Sequence, residues 1–287
     1  MIDGIIVVNK EVGYTSRDIV NIVCKKFNTK KVGHTGTLDP LASGVLVLCM
    51  GRALKMSELL TSNNKEYIAG ITLGISTDTI DMDGKITDEC DVDYTDGEII
   101  TAVNSFLGTY LQEVPKYSAI KINGRKLYDY ARSNVEVNLP RREVTINKIM
   151  LCSDIKRCEG KISFNIKCNV SKGTYIRSLV RDIGEKLGCP AVMNSLVRTK
   201  QGCFLTEDAN TLEDILNDRG KVIDILDAFK EIKRIIVQDE MAFKIKNGVA
   251  IRGLFKEEMA FILDNEKKLL ALYKNNEGIC RAYKMFL

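Results

Sequence analysis

The sequence predicts an α+β protein, in which a central sheet is flanked by helices and followed by a small β-rich C-terminal region. Over most of the chain, short apolar runs with strand spacing alternate with segments whose apolar residues recur at helical spacing. From about residue 230, short strand-like runs separated by Asn, Gly and Asp turns replace that alternation. A chain of 287 residues, 45% of them hydrophobic, can bury one large core, or one large and one small. We therefore predict two domains, residues 1–230 and 231–287.

The N-terminal part alternates between strand and helix. Residues 4–8 are predicted to form a short buried strand. Thr15 with Asp18 three residues later is typical of a capping box, and residues 17–27 have the apolar spacing of the helix that should follow. After a Gly- and Thr-rich loop, the apolar run 44–50 predicts a second buried strand.

The middle of the chain repeats the same two patterns. Strand-like alternation occurs at residues 65–77, 143–155 and 161–170, and helical spacing occurs at residues 96–108 and 174–188. The last of these helices is expected to end at a glycine that is soon followed by a proline.

A basic and aromatic stretch, residues 117–134, interrupts this alternation. Asn123 and Gly124 at its centre predict a tight turn. Such a stretch is either a solvated surface or a groove for single-stranded RNA, in which tyrosines stack on bases and cations contact phosphates. Composition alone leaves both interpretations open.

Composition excludes several classes of protein. The net charge of +4 permits a nucleic-acid partner without requiring one. Nine cysteines without a C-x-x-C pair argue against a disulfide framework or structural zinc. No apolar run approaches the roughly 20 residues of a membrane span. We accordingly predict a cytoplasmic protein.

The sequence contains no motif for a cofactor or a metal. There is no G-x-G-x-x-G turn and no Walker loop, and the single histidine cannot build a multi-histidine site. Residues 79–90 have the length of a calcium loop, but Thr79 occupies the first ligand position and Cys90 stands where a bidentate glutamate is needed. We predict that the protein uses no metal and no cofactor, which leaves chemistry that a carboxylate can perform.

Asp39 is the first candidate for that chemistry. It lies between the Gly- and Thr-rich loop and Pro40, just before the apolar run 44–50. An aspartate followed by proline is a common helix N-cap, which is one interpretation. The following run has strand character, so a cap would have little helix to stabilise. A carboxylate is ionised at neutral pH and can act as a nucleophile without a separate base, which is the other interpretation.

Three further side chains have both a structural and a functional interpretation. His34 either forms a hydrogen bond within its loop or contacts a ligand. Tyr67 is either a core aromatic of a strand or a stacking surface. Arg177 lies on an otherwise apolar helix, where it needs an anion. Asp182 or Glu185 offers a structural ion pair, and a catalytic carboxylate offers another.

Five stretches, in this order, carry a family pattern over roughly residues 3–207. They are GIIVVNKEVGYTSRDIV, GHTGTLDPLASGVLVLCMGRALK, KEYIAGITLGISTDTIDMDG, PKYSAIKINGRKLYDYAR and VSKGTYIRSLVRDIGEKLG. Together they closely resemble the TruB family of bacterial tRNA pseudouridine synthases, and the second and last stretches are the most specific. Many relatives carry two prolines where this chain has Val114 and Pro115, a departure expected to alter a loop. Residues 231–287 resemble a reduced RNA-binding PUA domain.

The resemblance implies the pseudouridine-synthase fold, with a mixed, mainly antiparallel central sheet. It implies isomerisation of uridine to pseudouridine at position 55, in the T-loop of tRNA, by a monomer that needs no protein partner. Residues 117–143 would form an inserted thumb that grips the loop. The residues implied at the target nucleotide are the catalytic carboxylate Asp39, its ion-pair partner Arg177, the RNA-contacting His34, the base-contacting Tyr67 and Tyr175, and the apolar wall Leu196.

The chemistry agrees with the absence of cofactor motifs, because isomerisation gains no electron and no group. Asp39 would attack C1′ of the ribose, act on the base or remove the proton at C2′, and the sequence leaves these routes open. Arg177 would favour the charged carboxylate in an apolar pocket, and the nucleotide would have to leave its stack to be reached.

Three other functions remain open at this point. A non-catalytic RNA-binding module would need only the basic stretch and the C-terminal region. A nucleosidase would cleave the same C1′–N1 bond but would need a second carboxylate to activate water. A guide-RNA-dependent synthase shares the core motifs but would be expected to need protein partners.

Overall fold

The computed structural model describes residues 2–133 and 135–287 and has a mixed α/β architecture. The strands of this described part are β1 (Gly4–Lys10), β2 (Val32–His34), β3 (Ala42–Met50), β4 (Lys65–Leu73), β5 (Ile75–Thr77), β6 (Ile86–Glu89), β7 (Gly108–Glu113), β8 (Lys121–Ile122), β9 (Arg125–Lys126), β10 (Arg141–Leu151), β11 (Lys156–Cys158), β12 (Lys161–Val170), β13 (Ala191–Gln201), β14 (Phe204–Leu205), β15 (Val222–Ile223), β16 (Lys233–Ile236), β17 (Ile251–Arg252), β18 (Met259–Leu263), β19 (Leu269–Asn276) and β20 (Ile279–Met285). Its α-helices are α1 (Ser16–Lys26), α2 (Ser57–Ser62), α3 (Asp96–Asn104), α4 (Leu127–Arg132), α5 (Ile176–Leu187), α6 (Leu212–Leu216), α7 (Ile225–Ala228) and α8 (Asp239–Lys246).

A large mixed sheet forms the centre of the molecule. Its strands follow the order β15-β1-β3-β13-β4-β12-β10-β7, with β2, β11 and β14 paired at its sides. Only the contact between β3 and β13 is parallel within this described sheet, and the other pairs are antiparallel. The predicted α+β fold with a mainly antiparallel central sheet is therefore confirmed.

Strand β3 is apolar along its length because both of its faces are covered. Leu46, Leu48 and Met50 belong to a core cluster that includes residues of α1, α3 and α5. Val45 and Val47 point to the opposite face and belong to a second cluster, shared with the C-terminal strands. A strand buried on both sides needs apolar residues at every position, which explains the continuous run.

The helix ends follow local sequence signals. Thr15 accepts a hydrogen bond from the Asp18 backbone, and the Asp18 side chain accepts one from the Thr15 backbone, so the predicted capping box is present at α1. Helix α5 ends at Gly188, whose φ of 84° is the left-handed conformation that glycine adopts easily.

An insertion of residues 114–140 separates β7 from β10. It contains the hairpin β8–β9, turned by Asn123 (φ 50°) and Gly124 (φ 81°), and the helix α4. Positive φ at both turn residues is the geometry that Asn-Gly sequences favour. The predicted thumb, 117–143, covers most of this insertion, its last three residues belong to β10, and its Asn134 lies outside the described residues.

A second sheet lies at the C-terminal end, in the order β16-β18-β19-β20-β17. It contacts the central sheet through Phe261, Leu272 and Phe286, which share a core cluster with β1 and β3. Within the described residues, none of the helices has the length and apolar character needed to span a membrane.

Candidate active site

One cleft of about 670 Å³ brings together the side chains that the sequence singled out. It lies between the central sheet, the first turns of α1 and α5, and the insertion between β7 and β10. All six predicted site residues line it, namely His34, Asp39, Tyr67, Tyr175, Arg177 and Leu196.

The loop that carries Asp39 is fixed at both ends by hydrogen bonds. Before Asp39, the Leu38 backbone donates to Ser16 Oγ (2.8 Å), which in turn donates to the Leu38 carbonyl (3.1 Å). After it, the Ala42 backbone donates to the Asp39 carbonyl (3.0 Å), and β3 begins there. Because a strand follows, Asp39 does not cap a helix, and the structural interpretation of this residue is wrong.

Asp39 forms an ion pair with Arg177 at the base of the cleft. The Arg177 Nε atom lies 3.0 Å from Asp39 Oδ2, and its Nη1 atom lies 3.5 Å from Asp81 Oδ2. The arginine side chain is 8% exposed and that of Asp39 is 33% exposed. A buried guanidinium between two carboxylates holds Asp39 in place.

The remaining donors of Arg177 are bound to backbone carbonyls. Nη1 donates to the Thr79 carbonyl and Nη2 donates to the Tyr117 carbonyl, each at a distance of 3.0 Å. The proposed structural partners of Arg177 bind its neighbour instead, since Arg181 contacts both Asp182 and Glu185. Arg177 is therefore free of those carboxylates and directed into the cleft.

Asp81 is a site residue that the sequence analysis missed. It is 6% exposed and accepts a hydrogen bond from Thr79 Oγ1 (2.5 Å). Burial raises its pKa, and the negative charge of Asp39 acts in the same direction, whereas Thr79 and Arg177 oppose this. The signal was the TIDMDG stretch, which was compared with a calcium loop and belongs to the family pattern, but Asp81 was given no role.

Two strands and one helix end supply the walls of the cleft. Tyr67 lies on β4 and is 7% exposed, so it is packed in the core as well as facing the cleft. Leu196 lies on the neighbouring β13, opposite Ala69 of β4. Tyr175 immediately precedes α5, and burial raises the pKa of its hydroxyl. An apolar and aromatic surface of this kind suits a flat base.

His34 ends β2 at the edge of the cleft. Its Nδ1 atom is buried and has no hydrogen-bond partner among the described residues, so the interpretation of a hydrogen bond within the loop is not supported at this atom. Burial lowers the pKa of the ring, and the positive charges of Arg17 and Arg198 lower it further. The ring is therefore neutral at pH 7.

Buried cations support the loop from behind. The Lys10 ammonium donates to the carbonyls of Tyr14 (2.6 Å) and Pro40 (3.4 Å), and burial lowers its pKa to about 8. Arg198 donates to the Gly36 carbonyl (3.1 Å), and a Cβ at Gly36 would lie only 3.3 Å from Arg198 Nη1. The loop thus packs closely against charged groups that the sequence did not connect with it.

The mouth of the cleft is positively charged. Arg17 of α1 and Lys126 and Arg132 of the insertion line it. Asp39 and Asp81 are its only carboxylates among the described residues, and Arg177 binds both. The three outer cations are therefore available to an anionic ligand.

Comparison with known proteins shows the family to which the chain belongs. Residues 24–176 match the family model of the TruB family pseudouridylate synthase N-terminal domain, and residues 177–234 match that of the tRNA pseudouridylate synthase B C-terminal domain. The chain is 43% identical to a tRNA pseudouridine synthase B from Bacillus licheniformis, over 88% of this chain and 84% of that protein. It is 40% identical to the one from Bacillus anthracis, over 96% of this chain and 93% of that protein.

Solved structures show the same fold. A Cbf5-Nop10-Gar1 complex contains a chain with a TM-score of 0.69 and 25% identity, covering 99% of this chain and 85% of that one. An H/ACA RNP bound to a substrate RNA containing 2′-deoxyuridine gives a TM-score of 0.70 at 24% identity, covering 99% of this chain and 85% of that one.

Proposed function

This chain belongs to the TruB family of tRNA pseudouridine synthases, and we propose that its target is the uridine at position 55, in the T-loop, with Asp39 as the catalytic carboxylate. Isomerisation of uridine to pseudouridine in tRNA is the activity of the family. The observation that carries the assignment to Asp39 is its ion pair with a buried arginine at the base of a 670 Å³ cleft.

The reaction exchanges one bond for another within a single nucleotide. The C1′–N1 bond breaks, the uracil turns, a C1′–C5 bond forms, and the proton on C5 is lost while N1 gains one. Arg177 Nε lies 3.0 Å from Oδ2 of Asp39, and the Asp39 side chain is 33% exposed in the cleft. This carboxylate would meet the substrate at C1′, at C2′ or on the base.

The walls of the cleft suit a nucleotide that has left its stack. Tyr67 and Tyr175 offer aromatic faces and Leu196 offers an apolar wall. Cleft volumes between roughly 300 and 1,000 Å³ are typical of sites for small molecules. Enzymes that act on a base pay for unstacking with contacts to the extruded nucleotide, and these side chains would provide them.

Binding of the T-arm would use the charged mouth of the cleft. Arg17 lies on the body of the enzyme, and Lys126 and Arg132 lie on the insertion, which we propose to be the thumb that grips the loop. Residues 231–287 would add contacts to the RNA as a PUA-like domain. We propose that a cytoplasmic monomer performs the reaction with neither metal nor cofactor, because every group it needs lines one cleft of one chain.

The replacement Asp39→Asn tests the catalytic assignment. Asparagine is nearly isosteric but cannot act as an anionic nucleophile or base, so the single-turnover rate should fall at least ~1,000-fold, or roughly 4 kcal/mol of barrier. Binding of tRNA should change little, since it depends on many phosphate contacts. Asp83→Asn, in an exposed position near the cleft, is the matched control. An Asp39→Asn rate within about tenfold of wild type would remove Asp39 from the chemistry.

The target uridine is tested by mapping pseudouridine in an unmodified tRNA transcript. Product should form at the T-loop uridine, should disappear when that base is cytidine, and should persist in EDTA. Product at another position, or release of free uracil, would contradict the proposal.

A further inference from the structure

The start of helix α5 depends on a side chain from another strand. Tyr175 occupies the N-cap position, and its side chain makes no cap hydrogen bond in the described structure. Two residues later the same turn carries Arg177, so the orientation of this turn decides where the guanidinium lies. Tyrosine cannot accept the backbone hydrogen bonds that Ser, Thr, Asp or Asn accept at a helix start.

Gln112, on β7, holds this turn by two hydrogen bonds. Its Oε1 atom accepts from the Tyr175 backbone N–H (2.8 Å), and its Nε2 atom donates to the Tyr175 carbonyl (3.0 Å). Nε2 also donates to the Tyr110 hydroxyl (2.7 Å), and that hydroxyl donates to Asp182 of α5 (3.1 Å). The Gln112 residue is 1% exposed. A buried amide that satisfies both backbone groups of one residue fixes that residue in position and orientation.

Neighbouring contacts join the same turn to the root of the thumb. The Ser178 hydroxyl donates to the Glu113 carbonyl (2.7 Å), and Arg177 donates to the Tyr117 carbonyl (3.0 Å). Glu113 is the last residue of β7, directly before the insertion. The segment that leads into the thumb and the first turn of α5 are therefore one hydrogen-bonded unit.

We propose that Gln112 is a positioning residue for pseudouridine formation. Its amide sets the first turn of α5 against the root of the thumb, and through that turn it aligns Arg177 with Asp39. The inference rests on the proposed role of Asp39 and adds a residue that does not touch the substrate.

The size of the effect follows from geometry. Without the amide, the Tyr175 N–H loses its partner, and a buried unsatisfied donor is costly enough to shift the local backbone. A displacement of about 1 Å at a reacting group lowers a rate roughly 100-fold. Gln112→Ala should lower the single-turnover rate about 30- to 100-fold and leave the tRNA dissociation constant within about threefold of wild type.

A second variant, Gln112→Glu, separates positioning from packing through its pH dependence. An ionised carboxylate cannot donate to the Tyr175 carbonyl. A protonated one can donate there with its single O–H and accept from the Tyr175 N–H with its C=O, while the second donation of the amide, to the Tyr110 hydroxyl, is lost. Burial favours the protonated form of a carboxyl at this position. As the pH is lowered from 8 to 5.5, the single-turnover rate of this variant relative to wild type should rise at least about fivefold.

The matched control is Val144→Ala. Val144 is buried on β10 opposite Tyr110, on the same face of the sheet, and its side chain makes no hydrogen bond to α5. This variant should lose packing in the core but keep the single-turnover rate of the wild type. All variants, with Asp39→Asn beside them, are measured by single-turnover pseudouridine formation and by filter binding of the same tRNA.

The outcomes distinguish the positioning role of Gln112 from the catalytic role of Asp39. Gln112 does not position the site if the single-turnover rate of Gln112→Ala falls no further than that of Val144→Ala. The same conclusion follows if the rate of Gln112→Glu relative to wild type is equal at pH 8 and pH 5.5. If Asp39→Asn keeps its rate, the proposed function fails instead, whatever the Gln112 variants do.

Discussion

At the scale of single residues, the site depends on one guanidinium that two carboxylates share. Arg177 lies 3.0 Å from Asp39 and 3.5 Å from Asp81, and burial raises the pKa of Asp81. The two carboxylates have different surroundings, since Asp39 lies at the cleft surface while Asp81 is almost fully buried. We therefore expect Asp81 to act through Arg177.

Asp81→Asn should weaken catalysis without abolishing it. The amide keeps the size of the side chain but removes the charge that anchors Nη1 of Arg177. We expect the single-turnover rate to fall about 10- to 100-fold, which corresponds to roughly 1.4–2.7 kcal/mol of barrier, with tRNA binding preserved. Asp83→Asn is the control for loss of charge in the same loop. A rate within about threefold of wild type would show that Asp39 alone suffices to hold the arginine.

His34 should report the electrostatics of the cleft directly, because the chain contains no other histidine. Burial and the charge of Arg17 lower its pKa below the usual 6.5. A depressed pKa in the folded state means that the associated stability is present above pH 6.5 and is lost as the pH falls through the folded value. NMR titration of the ring should give a midpoint below 6.5, and Arg17→Ala should raise it. Lys148→Ala, which removes an exposed charge outside the cleft, should leave it unchanged. A midpoint at or above 6.5 in the wild type would contradict the buried, neutral ring.

At the scale of elements, local signals in the sequence were sufficient for the strands β1, β3, β4, β10 and β12 and for the helices α1, α3 and α5. They did not predict the central strand β13 or the strand β7. The capping box of Thr15 and Asp18, the Asn123–Gly124 turn and the end of α5 at Gly188 each depend on residues a few positions apart. Such short-range patterns are readable because they reflect backbone geometry and side-chain periodicity.

The contacts that complete the site could not be read in this way. The Arg177–Thr79 hydrogen bond joins residues 98 positions apart, and the Gln112–Tyr175 pair joins residues 63 apart. These contacts exist because the strand order places β7 near the start of α5, and no local pattern encodes that order. Residue patterns made Asp39 and Arg177 candidates and the family resemblance implied their roles, but the buried supports Asp81 and Gln112 required the structure.

The insertion between β7 and β10 gives a prediction about RNA binding. Lys126 and Arg132 line the cleft mouth, so the double replacement Lys126→Ala, Arg132→Ala should weaken tRNA binding and reduce its salt dependence. If each cation meets one phosphate of an unpaired loop, the slope of log affinity against log salt should fall by about 1.4. The rate at saturating enzyme should fall less than about threefold. Lys148→Ala is the control, and an unchanged salt slope would place the RNA elsewhere.

At the scale of the whole molecule, the C-terminal sheet completes the core of the central one. Phe261, Leu272 and Phe286 pack in one cluster with Val45 and Val47 of β3. The polar contacts follow the same border, since Arg52 donates to the Phe286 carbonyl (2.7 Å). Removal of the C-terminal sheet would expose one apolar face of β1 and β3 to water, so the two sheets should depend on each other for stability.

We therefore expect both sheets to unfold in one cooperative transition. Cys49 of β3 and Cys280 of β20 are both fully buried, and Cys158 is exposed. In pulsed alkylation across a urea series, Cys158 should react throughout, while Cys49 and Cys280 should become reactive at the same urea concentration. Phe286→Ala removes a fully buried side chain at the border between the sheets and should lower the free energy of unfolding by about 3–5 kcal/mol. The urea concentrations at which Cys49 and Cys280 become reactive should therefore fall together. Modification of Cys280 while Cys49 remains protected would instead mean that the C-terminal sheet opens independently, and that the shared core contributes little to the stability of the catalytic body.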